Sequence, residues 1–559
     1  MARWFVDRLP QRGIPSVSLR QLLPEAQFVG CADWEVSGCC DDHRRLDPGQ
    51  VFVAVRDVRP GYDGQAFVRE ALDRGAAGVV LEQTCPDAGR LQVVVPDASS
   101  AHARICQALA GDPSRRMLTA GITGSFGRTI TALFVRSILE ADGRRTGSLG
   151  ATGYYDGSTP RPLGAGLTPR PWARPATQPE VAGLRIGGHS AGTLSAAGNR
   201  VALDRPPGTF LPDAKSLASL LGEMVDVGCQ AAALEVSAAA LAHRAFDGVA
   251  FHAAVVTDVA APFGFPEDVV LARRRAKARL FRQLAPGGIA VVNADDPNAE
   301  ILGAVSLDAR RVAFAMEPFR RPQLDVDVSA RIVHLDGAGT RMVLHGFGRE
   351  LAVGLRLVGP RAASCALAAA ALAWAMDIRP DAIVEGLERV SPLAGHLEAI
   401  DEGQDFDVRV DAASAPTMLG EALTATRAVG AGRVHCVLGA EGGSGRDERR
   451  RLAEIAEALA DRVILTLNNP RSEDPHAILD ELLAGFRWPG KVRIEPDRRR
   501  AIEVALADAR PGDSVLIAGK GRQSYQILAD RVVPFDDAEV AREWLRHHTA
   551  PRRVTQRSA

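Results

Sequence analysis

From Met117 to Ala141 the chain runs through an apolar stretch, a glycine-rich turn and a long amphipathic segment. Met117–Thr123 reads as a buried strand and Thr129–Ala141 as a helix, with Gly124-Ser125-Phe126-Gly127-Arg128 turning between them. A turn of this kind aims free backbone N–H groups at one point, and the helix dipole adds positive potential there. The junction therefore predicts an anion cradle at the end of a parallel strand. It also commits this part of the chain to strands alternating with helices.

That alternation continues. Ala231–Val236, Ala253–Thr257 and Ile289–Asn293 read as further strands separated by helical segments, which predicts a parallel sheet wound with helices. Upstream, Val51–Val55 and Gly78–Leu81 flank a helix-like Ala66–Arg74, the pattern of a small α/β unit. Downstream, Val434–Leu438, Arg462–Leu467 and Ser514–Ala518 alternate with segments such as Leu452–Ala460, the pattern of a Rossmann-like α/β unit. With 559 residues, too many for one core, the expected division is 1–112, 113–395 and 396–559, all α/β. Residues 158–208, rich in Pro, Gly, Ser and Arg, read as an insertion in the middle unit.

A formal net charge of −1 argues against nucleic acid or an anionic membrane as partner. The longest apolar run, Ala362–Met376, is too short to span a bilayer, and the charged N-terminus lacks the apolar core of a signal peptide. Eight scattered cysteines without CxxC spacing fit a reducing compartment better than a disulfide framework or a zinc site, so a cytoplasmic protein is expected, and a monomer. Of 67 basic residues only four are lysines: Lys215, Lys277, Lys491 and Lys520. Arginine serves wherever charge alone suffices, so a lysine that persists points to a need for an amine.

The turn supplies the candidate nucleotide-binding residues Gly121, Gly124, Ser125, Gly127, Arg128 and Thr129, with Thr129 placed to hold a magnesium ion. The usual phosphate motif ends Gly-Lys-Thr/Ser, and here it ends Gly-Arg-Thr. A broad guanidinium binds phosphate but is shaped differently from a slim ammonium. The alternative reading is a glycine turn that only packs a helix on a strand.

The turn resembles the nucleotide loop of the Mur ligase family. Leu234-Glu235-Val236-Ser237 resembles the family's Glu-Val-Ser segment, Asn293-Ala294-Asp295-Asp296-Pro297 its Asn-x-Asp-Asp run, and Ala276-Lys277-Ala278-Arg279 its modified-lysine helix. Asn469-Pro470-Arg471 and Gly519-Lys520-Gly521 are similar to signatures of the diaminopimelate-adding branch, and Asp42-His43-Arg44 to the region that meets a UDP-sugar. The motifs run in order along nearly the whole chain. The resemblance implies ATP-dependent amide formation through an acyl phosphate, with ATP and Mg2+ as cofactors and a UDP-sugar-peptide and an amino acid as substrates. It places Thr129, Glu235 and Lys277 around metal, Lys277 as a carbamate, and Lys277 and Glu235 as the catalytic pair. Asn293 falls among nucleotide contacts, and Asp42, Arg44, Asn469, Pro470, Arg471 and Gly519 among substrate contacts. The cations Arg273, Arg274 and Arg275 are expected to push Lys277 toward its neutral form.

Several positions depart from the family pattern. Ala238-Ala239-Ala240 replaces a histidine, Asp258 stands where asparagine is expected, and Ala260–Phe263 replace an Arg-Asp-His stretch. His396 replaces arginine, and Asp411–Thr417 departs from an Asp-Tyr-Ala-His-x-Pro-Asp motif. His43, Phe210-Leu211, Ser444 and Gln523 alter the substrate regions. Two functions therefore remain open: a divergent ligase with impaired turnover, and a catalytically impaired paralogue that binds a nucleotide or a partner.

Overall fold

The computed structural model describes residues 16–56, 63–88, 91–161, 212–259, 267–298, 308–318 and 325–548. Most of the 158–208 insertion, Phe210-Leu211 and Ala260–Phe263 lie outside these residues.

The first unit is a five-stranded sheet in the order Gln27–Val29, Gln92–Val94, Gly78–Leu81, Val51–Val53, Cys39–Cys40. Gln27–Val29 is antiparallel and the others are parallel. The helix Ala98–Leu109, capped by the Asp97 carboxylate on the Ser100 amide, covers one face.

The middle unit is an eleven-stranded sheet. Its seven inner strands, from Thr146–Gly150 through Ala231–Glu235, Leu118–Thr123, Phe251–Val256, Leu284–Asn293 and Arg310–Met316 to Val328–Asp336, are all parallel. The expected parallel sheet is extended by antiparallel strands at both ends: Gly153–Tyr155 and Pro160–Arg161 at one, Gly339–Gly346 and Arg349–Leu355 at the other. These meander strands carry mixed, half-polar faces, which is why no continuous apolar run announces them.

Along Ala231–Glu235 successive side chains enter different cores. Ala231 and Ala233 pack with Ile130, Phe134 and Ile138 of the helix Arg128–Ala141, and Ala232 and Leu234 with Leu217, Leu221 and Met224 of the helix Ala214–Asp226. The alanine-rich run forms the buried helix Pro360–Ala375 beside the loop helix. Among the described residues no helix is long and apolar enough to cross a membrane.

The last unit is a six-stranded sheet, Glu398–Ala399, Asp407–Asp411, Ser514–Ala518, Val434–Ala440, Arg462–Leu467, Val492–Ile494, parallel apart from its first strand. Helices cover both faces. A buried ion pair, Arg498 Nη2 to Asp537 Oδ2 at 2.6 Å, fastens the final helix Asp537–His548.

In the middle sheet the chain leaves Leu118–Thr123 toward Thr146–Gly150 on one side and later adds Phe251–Val256 on the other. Such a switch opens a crevice beyond the carboxyl ends of the strands. Thr123, Glu235 and Val256 all end strands there.

Candidate active site

The loop after Thr123 needs its glycines for space as well as for conformation. A Cβ on Gly124 would lie 2.0 Å from Thr257 Oγ1, and one on Gly127, whose φ is +76°, would lie 2.7 Å from Cys365 Sγ. Gly121 has another role. It sits inside the strand, where a Cβ would meet the Phe251 ring at 2.7 Å and Leu280 at 2.9 Å. Gly121, expected among the nucleotide contacts, makes room for core packing beneath the loop.

The anion cradle forms, and it holds an anion of the protein's own. The Ser125 and Phe126 amides donate to the two oxygens of Asp258, at 2.7 and 2.9 Å. Asp258 follows the strand Phe251–Val256, paired directly with the loop strand, so its carboxylate is delivered to the loop by sheet register. Lys277 Nζ donates to Ser125 Oγ at 2.7 Å and to the Asp258 carbonyl at 3.3 Å, and lies 3.5 Å from the Asp258 carboxylate. Arg128 turns its guanidinium back onto the Gly124 carbonyl.

Lys277 is almost fully buried on the helix Glu267–Arg282. Burial pulls its pKa from 10.5 down to about 8, Asp258 opposes that, and Arg128 adds to it. The expected influence of Arg273–Arg275 is therefore corrected: desolvation leads, and the cation that assists is Arg128. Because folding depresses this pKa, the penalty on the ammonium is present below about pH 8 and is relieved as pH rises toward 10.5.

On the other side of the loop helix, Thr129 Oγ1 donates to Glu235 Oε2 at 3.0 Å, and the Ala151 amide donates to Glu235 Oε1 at 3.0 Å. Burial pushes the Glu235 carboxyl up, while Arg128, these hydrogen bonds and His396 draw it down. A hydroxyl and a buried carboxylate side by side suit a hard divalent cation, whose charge would hold Glu235 ionised. Asn293, expected among the nucleotide contacts, hydrogen-bonds to backbone at two strand ends. Its Nδ2 donates to the Thr257 carbonyl at 2.8 Å and its Oδ1 accepts from the Asp295 amide, so it ties two strand ends together.

In the last unit, Asn469 Oδ1 accepts from Lys520 Nζ at 3.0 Å and from the Ile527 amide, and its Nδ2 donates to Gln523 Oε1 at 2.9 Å. Arg471, with φ +56°, pairs with Glu441 at 2.9 Å. Pro470 and Gly519 shape the backbone: the Pro470 carbonyl would lie 1.9 Å from a Cβ on Gly442, and Gly519 has φ +113° beside Asn468. Near Ser444, buried Arg449 reaches Glu473 and Glu481 at 2.6 and 2.7 Å. In the first unit, Asp42 caps the short helix His43–Arg45 and binds the Arg44 guanidinium at 2.9 and 2.7 Å, while His43 stacks on Phe67.

Sequence reasoning passed over Asp258 as a mere departure and missed Glu441. Both answer a partner that only the strand order brings near.

Comparison with known proteins agrees with this architecture. The Mur ligase middle domain matches residues 186–373, and the Mur ligase glutamate ligase domain matches residues 395–521. A UDP-N-acetylmuramoyl-L-alanyl-D-glutamate–2,6-diaminopimelate ligase of Syntrophomonas wolfei is 31% identical over 523 residues, 92% of this chain and 96% of the relative. A solved structure of a ligase with the same description superposes with a TM-score of 0.63 at 23% identity, covering 96% of this chain and all of the other. A MurF ligase from Thermotoga maritima, solved in complex with ADP, superposes with a TM-score of 0.53 at 16% identity over 91% of this chain and 97% of its own. The fold and its loop define an α/β protein on the plan of these ligase structures. The chain belongs to the Mur ligase family.

Proposed function

We propose that this protein is an ATP-dependent amide-forming ligase acting on a UDP-sugar-peptide, and that it adds an amino acid of the diaminopimelate class. Support comes from the relatives' names and from one observation: loop amides, the Thr129–Glu235 pair and Lys277 converge at the carboxyl ends of adjacent strands. Residues 1–112 would bind the UDP-sugar, 113–395 the nucleotide and 396–559 the amino acid, in a monomeric cytoplasmic enzyme.

The Ser125 and Phe126 amides would hold phosphate oxygens, as they now hold carboxylate. Thr129 and Glu235 would hold Mg2+, and Lys277, as a carbamate, a second ion. ATP, when bound, supplies the phosphoryl group that activates a carboxylate. With its pKa near 8, Lys277 presents a neutral amine fraction at neutral pH, the form that takes up carbon dioxide. Arg471 and Glu441 offer opposite charges to an amino acid and Asn469 a carboxamide, and Asp42 and Arg44 would line the expected sugar-nucleotide region.

Triphosphate binding must first displace the Asp258 carboxylate from the loop amides. This favours slow turnover, and it is the observation behind a second reading in which the chain serves as a nucleotide- or partner-binding protein. Phosphate release that requires both UDP-MurNAc-dipeptide and diaminopimelate, slow in the wild type and faster in Asp258→Asn, is the expected result. No substrate-dependent release from either protein at millimolar ATP would overturn the ligase reading.

A further inference from the structure

Away from the phosphate loop, the first unit buries three soft donor groups against one another. Cys39 opens the strand Cys39–Cys40 opposite Val51, and His102 and Cys106 lie one turn apart on the helix Ala98–Leu109 that packs over that strand. All three are at most 5% exposed. Cys39 Sγ and Cys106 Sγ are 3.6 Å apart, Cys106 Sγ and His102 Nε2 are 3.4 Å apart, and the three donor atoms lie within 4.8 Å of one another.

These spacings can be set against the edges of a coordination tetrahedron. Zinc–sulfur bonds of about 2.3 Å and zinc–nitrogen bonds of about 2.0 Å give edges of about 3.8 Å between two sulfurs and about 3.5 Å between sulfur and nitrogen. The observed separations fall close to both. A disulfide requires the sulfurs to approach to about 2.05 Å, well inside their present spacing. The other imidazole nitrogen supports the same geometry. His102 Nδ1 faces the Asp41 carboxylate at 4.0 Å, the side from which a carboxylate orients a metal-binding histidine and raises its basicity.

We propose that Cys39, His102 and Cys106 bind a single zinc-class divalent cation as three of its ligands. Binding joins the ion to two sulfurs and Nε2, and each thiol that was protonated releases its proton to solvent. The strand carrying Cys39 runs directly into Asp41, Asp42 and the helix His43–Arg45, so the ion would brace the segment that resembles the UDP-sugar region. The role is structural, and it is independent of the phosphate loop.

Cobalt(II) tests it on the reduced, chelator-treated full-length chain. One equivalent of cobalt should bind with thiolate-to-cobalt charge-transfer absorption and tetrahedral visible bands, zinc should displace it, and the melting temperature should rise. Cys106→Ser should abolish the charge-transfer absorption, and His102→Gln should weaken cobalt binding at least tenfold. Cys85→Ser, outside the cluster, should retain both. The wild-type titration stands even if a variant fails to fold. No thiolate band at stoichiometric cobalt would overturn the proposal. So would a Cys39–Cys106 disulfide forming on mild oxidation in a chain that takes up no metal, which would make the pair a redox dithiol.

Discussion

At the phosphate loop one carboxylate, Asp258, takes two backbone amides and lies against the Lys277 ammonium. In the last unit the polar groups are divided among many partners: Arg471 with Glu441, Asn469 with Lys520 and Gln523, and Arg449 with Glu473 and Glu481. The first arrangement has a single point of release. The second is a framework, and no one substitution opens it. A site closed by one side chain can be switched by one event, whereas a site closed by a network is part of the fold.

The framework is most sensitive at Arg449. Its guanidinium is 1% exposed while its carboxylate partners remain partly hydrated. Arg449→Ala should therefore cost about 3 kcal/mol of stability, the low end for breaking a buried pair. Denaturant unfolding would measure it, and a loss under about 1 kcal/mol would mean that the framework is dispensable.

The next effect is electrostatic. In Asp258→Asn, Lys277 loses the carboxylate that holds its pKa up, so it should titrate below about 8. Lys520, which burial also brings to about 8, should stay in place. Carbon-13 methyl labels on the lysines would resolve both, and Lys277→Met would assign the shifted signal. An unmoved Lys277 would show that Asp258 does not govern the amine.

The smallest effect belongs to Glu441→Gln, which frees a partly exposed Arg471. Stability should change by less than about 1 kcal/mol. Affinity for a dicarboxylic amino acid should change by less than about tenfold, as read by equilibrium dialysis. A larger change would make that pair, too, a point of release.

Much of this was legible in the order of residues. The strand–glycine turn–helix at Met117–Ala141, the parallel pattern around it and the collinear motifs carried the fold, because a buried strand and an amphipathic helix have distinct periods. Thr129, Glu235 and Lys277 do reach the loop. The antiparallel strands Gly339–Gly346 and Arg349–Leu355 were not legible, since half-exposed strands at a sheet end carry weak patterns. Nor were the roles of Gly121 and Asn293, which depend on what packs across the sheet: the Phe251 ring for one and the Thr257 carbonyl for the other. Asp258 stood out only as a departure. Its seat on the Ser125 and Phe126 amides follows from which strands are neighbours, and no local pattern encodes that.

The central claim is that a carboxylate of the protein sits where a triphosphate would bind. Calorimetric titration of ATP·Mg2+ into the wild type and Asp258→Asn, side by side at one pH and ionic strength, tests it most directly. Charge-assisted hydrogen bonds of about 1.5–3 kcal/mol stand to be released, so the variant should bind about ten- to a hundredfold more tightly. Equal affinities in the two proteins, or weaker binding by the variant, would contradict the account.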